Sequence, residues 1–243
     1  MITNDETPEM ASASVADIAL RFPQGLEILN RYNLDYCCNG KKPFLQVCAK
    51  ANLNAEAIWN EILEKKEAPG ADQRMKFDTW EPSLLIDFIV QHHHRYVRES
   101  IPQLQELLNK VCLVHGNDQP ELLEIRNDFN AMADELLNHL PKEEEFLFPA
   151  IKRITKQNVV PAESPLLSTD LQAPLSLMEH EHETVGDFVK SIRSLTNKYS
   201  PPEFACTTYQ LTYKLLQEFD NDLMQHIHLE NNILFPKIKI PLN

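Results

Sequence analysis

His139 and Glu143 stand four residues apart, and so do His226 and Glu230. On a helix that spacing puts both side chains on one face, about one turn apart, where an imidazole nitrogen and a carboxylate oxygen can reach the same metal ion. Each pair opens the pattern His-xxx-Glu-xxx-Leu-Phe-Pro, once from His139 to Leu147-Phe148-Pro149 and again from His226 to Leu234-Phe235-Pro236. His94 and His182 are separated by nearly the same interval as the two pairs, so the four segments read as two similar halves with room for two metals. Two metals in one core need shared ligands, and a carboxylate can bridge where an imidazole cannot, which makes Glu143 and Glu230 the bridge candidates. Nitrogen and oxygen donors without thiolate favour iron or manganese ahead of structural zinc, although imidazole also binds zinc.

The elements that must carry these residues show as apolar stripes. Val90, Val97, Ile101, Leu104, Leu108 and Val111 step by threes and fours, and His94 fills the gap at Val90 plus four. Leu122, Ile125, Phe129, Met132 and Leu136 lead into His139 and Glu143. Leu175 and Met178 precede His182, with Val185, Val189 and Ile192 after it. Tyr209, Thr212, Leu216, Phe219 and Leu223 lead into His226 and Glu230. One core-facing histidine is ordinarily a hydrogen-bonded core residue. Four imidazoles and two carboxylates buried together would cost several kcal/mol per group without a partner, and a bound cation offsets that desolvation.

The remaining histidines divide by face. His180 shares a face with Thr184, Asp187 and Ser191, and His228 with Gln217, Asn221 and Gln225, so both are expected to point to solvent. His115, before Gly116, reads as a residue at a helix C-terminus. The triplet His92-His93-His94 leaves the helical phase open: Ile86 and Ile89 upstream suit His93, whereas the downstream stripe selects His94, which is preferred. Pro141, between His139 and Glu143, should remove a backbone hydrogen bond and bend its helix at the site.

Five glycines in 243 residues, many Leu, Glu and Lys, and no alternating β-branched run predict an all-α fold. The four long segments, broken near residues 116–120, 158–174 and 200–202, are each long enough to cross a four-helix bundle. Before them, Ser14 can cap a helix from Val15, Pro23 can open the next, and Asn52-Leu53-Asn54 can start one over Ala55–Lys66. The expected organisation is a small helical domain over residues 12–66, a linker over 67–79 rich in charge with Pro and Gly, and a bundle over 80–243. A net charge of −13 repels phosphate backbones and anionic lipid, which argues against nucleic acid as a partner. There is no leader-like segment and no apolar run of about 18 residues, so the expectation is a cytoplasmic protein without a membrane span. Cys37, Cys38, Cys48, Cys112 and Cys206 form an odd, uneven set and read as reduced thiols.

The paired His-xxx-Glu-xxx-Leu-Phe-Pro segments, with Glu179-His180-Glu181-His182 and Leu229-Glu230-Asn231-Asn232, resemble the hemerythrin-like domain of the di-iron iron-sulfur cluster repair proteins. Asp35-Tyr36-Cys37-Cys38-Asn39-Gly40 is similar to the Asp-Tyr-Cys-Cys-x-Gly motif of the small domain that precedes the bundle in that family, the ScdA or YtfE type. The resemblance covers nearly the whole chain. It implies a hemerythrin-like four-helix bundle with an oxo-bridged centre of two iron ions on His94, His139, Glu143, His182, His226 and Glu230, the six residues the stripes select. It further implies repair of iron-sulfur clusters damaged by nitric oxide or peroxide, by donation of iron, with the damaged proteins as clients. Glu135 and Glu181 match acidic positions that lie beside the iron site in the family, and are expected either to support the ligands or to sit on a solvated surface. Cys37 and Cys38, at a turn where exposure is expected, could exchange with a disulfide, bind iron transiently or accept a nitrosyl group, all of which need an accessible thiolate. Cys48, Cys112 and Cys206 are expected to be structural.

Two other functions fit the same residues. A nitric oxide reductase would turn nitric oxide over at the di-iron centre, and a sensor or carrier would bind oxygen or nitric oxide reversibly. The absence of an output segment weighs against a sensor, and a monomer and a homodimer fit the sequence equally.

Overall fold

The computed structural model describes residues 7–38, 40–67, 75–156 and 165–238. Most of the 67–79 linker, Asn39 of the cysteine motif and part of the 158–174 break therefore lie outside the described residues. The described residues are helical, with one isolated β-bridge between Ser14 and Pro43. The chain divides into two compact units, Met1–Trp80 with Ile227–Ile233, and Glu81–His226 with Leu234–Asn243.

The first unit contains five short helices: α1 (Thr7–Ser12), α2 (Val15–Arg21), α3 (Leu26–Arg31), α4 (Phe44–Lys50) and α5 (Ala55–Glu67). Ser14 caps α2 with a capping box: its hydroxyl accepts from the Asp17 amide while the Asp17 carboxylate accepts from the Ser14 amide. Asn54 accepts from the Ala57 amide at the start of α5. Asn33 and Asn52, at φ 54° and 55°, end α3 and α4 in the left-handed conformation that asparagine tolerates. The core of the unit is Trp59, which meets Phe22 edge-on at 5.4 Å and Phe44 at 6.2 Å, surrounded by Val15, Ile18, Leu29, Ile58 and Ile62. Gly40 closes the cysteine turn against α2: a Cβ there would lie 2.4 Å from the Tyr36 carbonyl oxygen and 2.8 Å from Ala16 Cβ. The segment Ile227–Ile233 belongs to this unit. Asn232 donates to the Tyr36 carbonyl at 3.1 Å, Asn231 to the Cys37 carbonyl at 3.4 Å, and the Tyr36 ring meets His228 edge-on at 5.3 Å.

The second unit is built on the four long segments. They are α6 (Pro82–Phe88) continuing through a π-helical stretch Ile89–His94 into α7 (Arg95–His115); α8 (Glu121–Lys142) through Glu143–Leu147 into α9 (Phe148–Lys156); α10 (Pro165–Leu195); and α11 (Thr207–His228) through Leu229–Leu234 into α12 (Phe235–Ile238). α8 packs against α7 and α10, and α11 joins them through Phe219, whose ring meets Phe129 of α8 at 5.6 Å. The apolar residues of the stripes downstream of the first turn are buried, Val97 to Val111, Leu122 to Leu136, Leu175 to Ile192 and Tyr209 to Leu223. At the end of α10 away from the π-helical stretches, Arg193 holds the buried Asp220 by two 2.6 Å bonds and the Tyr199 hydroxyl donates to the same carboxylate at 2.8 Å.

Two expectations change at the first stripe. Val90 is only half-buried, and Leu85, Ile86 and Ile89 take its place in the core. The reason is the π-helical stretch, whose wider turn advances the side chains by a smaller angle per residue and re-phases the helix between Ile89 and Val97. His93 and His94 are thus both buried, while His92 is exposed. Pro141 sits inside α8, and the helix passes through it into the π-helical stretch at Glu143.

Candidate metal centre

The re-phased helices deliver six buried polar side chains to one place. His94, Glu143, His226 and Glu230 form one group whose donor atoms all lie within 4.8 Å of one another, and His139, Glu143, His182 and Glu230 form a second. Glu143 and Glu230 belong to both. All six are at most 2% exposed. Each π-helical stretch carries one of them, with His94 closing the first, Glu143 opening the second and Glu230 near the start of the third, which agrees with the tendency of such widened turns to occur at functional sites.

Within the groups the imidazoles face one another in pairs. His94 Nε2 lies 3.1 Å from His226 Nε2, and His182 Nε2 lies 3.1 Å from His139 Nε2, with the rings tilted by 59° in both pairs. Glu143 reaches both, at 3.4 Å from His94 Nε2 and 3.3 Å from His139 Nε2. The outer nitrogens are held by carboxylates, His94 Nδ1 by Glu144 at 2.7 Å and His139 Nδ1 by Glu181 at 2.7 Å. A carboxylate only accepts, so each Nδ1 carries the proton and each Nε2 turns a lone pair inward. Two carboxylates and facing imidazole nitrogens, all of them buried, are a donor set that fits a divalent or trivalent cation in each group.

The supporting carboxylates are themselves anchored. Arg98 donates to Glu144 at 2.8 Å and Lys142 to Glu181 at 2.5 Å. Hydrogen bonding to His94 holds the Glu144 carboxyl at about 2, with Arg98 adding to the effect. Burial pushes Glu181 up, but the bonds from Lys142 and His139 outweigh it and leave its carboxyl below the ordinary value. Glu181 thus lies against the outer nitrogen of His139. Glu135 is exposed, one turn before His139. Glu144, which does for His94 what Glu181 does for His139, was not singled out by the sequence; the only signal is its place directly after Glu143.

Three other expectations are corrected. His228 is buried, not solvent-facing: its ring packs on Tyr36 and its Nδ1 lies 3.1 Å from Asn232, and burial pushes the imidazole down to about 4. Cys37 is buried and Cys38 only half-buried, because the Asp35 carboxylate folds the turn inward by accepting from the amides of Cys37 and Cys38, at 3.3 and 3.0 Å. The two sulfurs lie 3.5 Å apart, and the shared hydrogen bond with Cys38, followed by burial, raises the Cys37 thiol well above its ordinary value, which works against the accessible thiolate expected there. Cys206 is exposed, whereas Cys48 and Cys112 are buried. His180 is exposed as expected, and His115 ends α7 with its Nε2 3.4 Å from Cys206 Sγ.

The fold and the donor set are those of a helical-bundle protein whose buried histidines and glutamates could hold cations. Residues 85–238 match the Hemerythrin HHE cation binding domain, and residues 11–66 match the ScdA_N Domain of Unknown function. The chain is 33% identical over 227 residues to the iron-sulfur cluster repair protein YtfE of Yersinia pseudotuberculosis serotype IB (strain PB1/+), an alignment that spans 92% of this chain and 95% of the relative. The protein of the same name from Pectobacterium atrosepticum is 35% identical over the same shares of both chains, and that from Yersinia pestis (strain Pestoides F) is 32% identical. The chain thus belongs to the hemerythrin HHE cation-binding family. No helix among the described residues is long and apolar enough to cross a membrane.

Proposed function

We propose that the chain is a di-iron protein that repairs iron-sulfur clusters damaged by nitrosative or oxidative stress, by donating iron to cytoplasmic client proteins. In this reading His94 and His226 would hold one iron and His139 and His182 the other, with Glu143 and Glu230 available to both. The observation that carries it is the sharing of two fully buried carboxylates by two otherwise separate groups of donors. The printed names of the relatives support the repair role. The domain reading that goes with it is a small Cys-Cys domain over 12–66, a linker over 67–79 and the bundle over 80–243, supported by the extents of the two family matches.

The bound irons would supply Lewis acidity and one-electron chemistry toward small ligands such as oxygen or nitric oxide. The chain's own residues orient and neutralise. Glu144 and Glu181 fix the tautomer and ring angle of His94 and His139, and Glu143 and Glu230 together offset two positive charges. Four imidazoles and two carboxylates would leave two irons coordination room for a small ligand.

The test is elemental analysis with an absorption spectrum, followed by transfer of iron to an inactivated iron-sulfur enzyme. The reading expects about two irons per chain, loss of the centre in Glu143→Ala and Glu230→Ala, and recovery of the client's activity with loss of iron from the donor. Tightly held iron without client recovery would refute the repair role. Nitrous oxide formed catalytically from nitric oxide by the reduced protein would favour a nitric oxide reductase instead.

A further inference from the structure

The residue before His94 also belongs to a cluster of donors. His93 is fully buried, and its Nδ1 lies 3.0 Å from Asp222 Oδ1 on α11. His92, exposed, stacks on Phe88 at 5.1 Å and meets the His93 ring edge-on at 4.8 Å. One donor atom from each of His92, His93 and Asp222 lies within 4.8 Å of the others. Ligands about 2.1 Å from a tetrahedral cation stand roughly 3.4 Å apart, so the hydrogen-bonded His93 and Asp222 need separate only slightly to hold one ion, with the His92 donor already within 4.8 Å of both.

The pair also leaves polar capacity unused. Among the described residues, Asp222 Oδ2 and His93 Nε2 are buried and have no hydrogen-bond partner. A carboxylate that is more than four-fifths buried and spends one oxygen on a single imidazole is under-satisfied, and a cation held between Asp222 and His93 would neutralise it while giving Oδ2 a charge to face. The cluster is distinct from the Glu143 and Glu230 groups and shares no donor with them, although His93 stacks parallel on His226 at 5.6 Å. It exists because the π-helical stretch turns both His93 and His94 inward and leaves His92 at the surface, so the site has one buried wall and one open side.

We propose that His92, His93 and Asp222 form a third, separate binding site for a first-row divalent cation, open to solvent on the His92 side. Two imidazoles and one carboxylate suit ferrous iron, manganese, cobalt or zinc and offer no sulfur to monovalent copper. Binding is a ligand exchange without redox change: the cation takes the place of the proton shared between His93 and Asp222, that proton leaves to solvent, and water completes the coordination. The assignment stands whether or not the Glu143 and Glu230 groups hold iron.

The test uses the full chain and cobalt(II). Protein with its iron content already measured is equilibrated with cobalt(II), and both metals are counted in the same sample by elemental analysis, with the visible cobalt bands recorded. One cobalt per chain beyond the metal held by the buried groups, weakened at least tenfold in His92→Ala and in Asp222→Asn with the iron count unchanged, is the expected result. His92 is exposed, so its replacement leaves the core intact and keeps the test valid if Asp222→Asn folds poorly. No additional cobalt in the wild-type chain, or additional cobalt held equally by His92→Ala and by a folded Asp222→Asn, would overturn the proposal.

Discussion

Glu143→Gln should change stability in opposite directions with and without metal. The side chain is 0% exposed, and the Nε2 atoms of His139 and His94 lie 3.3 and 3.4 Å from it. In the metal-free protein the carboxylate is a fully buried acidic group beside a second at Glu230. Glutamine keeps the volume and removes one charge, which by comparison with replaced buried ions is worth about 1–4 kcal/mol of stability. For a chain of this size each kcal/mol moves the melting temperature by roughly 2–4 °C, so the metal-free variant should melt about 2–16 °C higher than the metal-free wild type. With iron present the order inverts, because a neutral amide cannot bridge two cations and the stabilisation that bound metal gives the native state is lost. Calorimetry on chelator-stripped and reloaded samples at pH 7, with iron counted in each, reads both effects. A metal-free variant that is less stable than wild type, together with unchanged iron content, would refute the reasoning that these carboxylates are buried for the sake of a cation.

Glu144→Gln and Glu181→Gln should each loosen metal by about 10–100-fold in competition with a chelator while leaving the fold intact, since they touch the outer nitrogens of His94 and His139 and the part-exposed side chains of Arg98 and Lys142; unchanged affinity in both would show that the imidazoles need no orientation. Arg193→Met leaves the buried Asp220 without its bidentate partner and should cost about 3–5 kcal/mol in denaturant unfolding, most of which Asp220→Leu in the same chain restores. A single substitution that proves neutral would remove this pair from the account of stability. Burial raises the Cys48 thiol from its ordinary 9.0 to about 11. The folded chain therefore keeps that proton where the unfolded chain loses it, and the contribution to stability is complete below about pH 9 and declines between there and about pH 11. Iodoacetamide mass mapping at pH 8 should accordingly mark the exposed Cys206 well before Cys48, and equal labelling of the two in the native protein would contradict the burial.

Much of this architecture is legible in the residues because helical phase is a local property. Leu122, Ile125, Phe129, Met132 and Leu136 face the core by spacing alone, and the next two steps of the same spacing land on His139 and Glu143. The capping residues Ser14 and Asn54 are equally local, since each bonds a backbone amide three residues away. The all-α class and the six polar core positions follow from patterns of this kind.

What the tertiary structure decided is everything that depends on a break in phase or on a partner distant in sequence. The widened turn at Ile89–His94 exchanged Val90 for Ile89 and buried His93 beside His94, an outcome that a constant 3.6-residue period excludes. His228 lies on a polar face of its own helix, yet Tyr36, far away in the chain, covers it. Cys37 sits in a turn, where exposure is the rule, but the Asp35 carboxylate and the Gly40 approach fold it inward. Glu144 has no distinguishing spacing and acquires its role only because His94, fifty residues earlier, turns a nitrogen toward it. The period of a helix says which side of it a residue occupies; which group waits on that side is settled only when the chain closes on itself, because partners are chosen by packing in space and not by distance along the sequence.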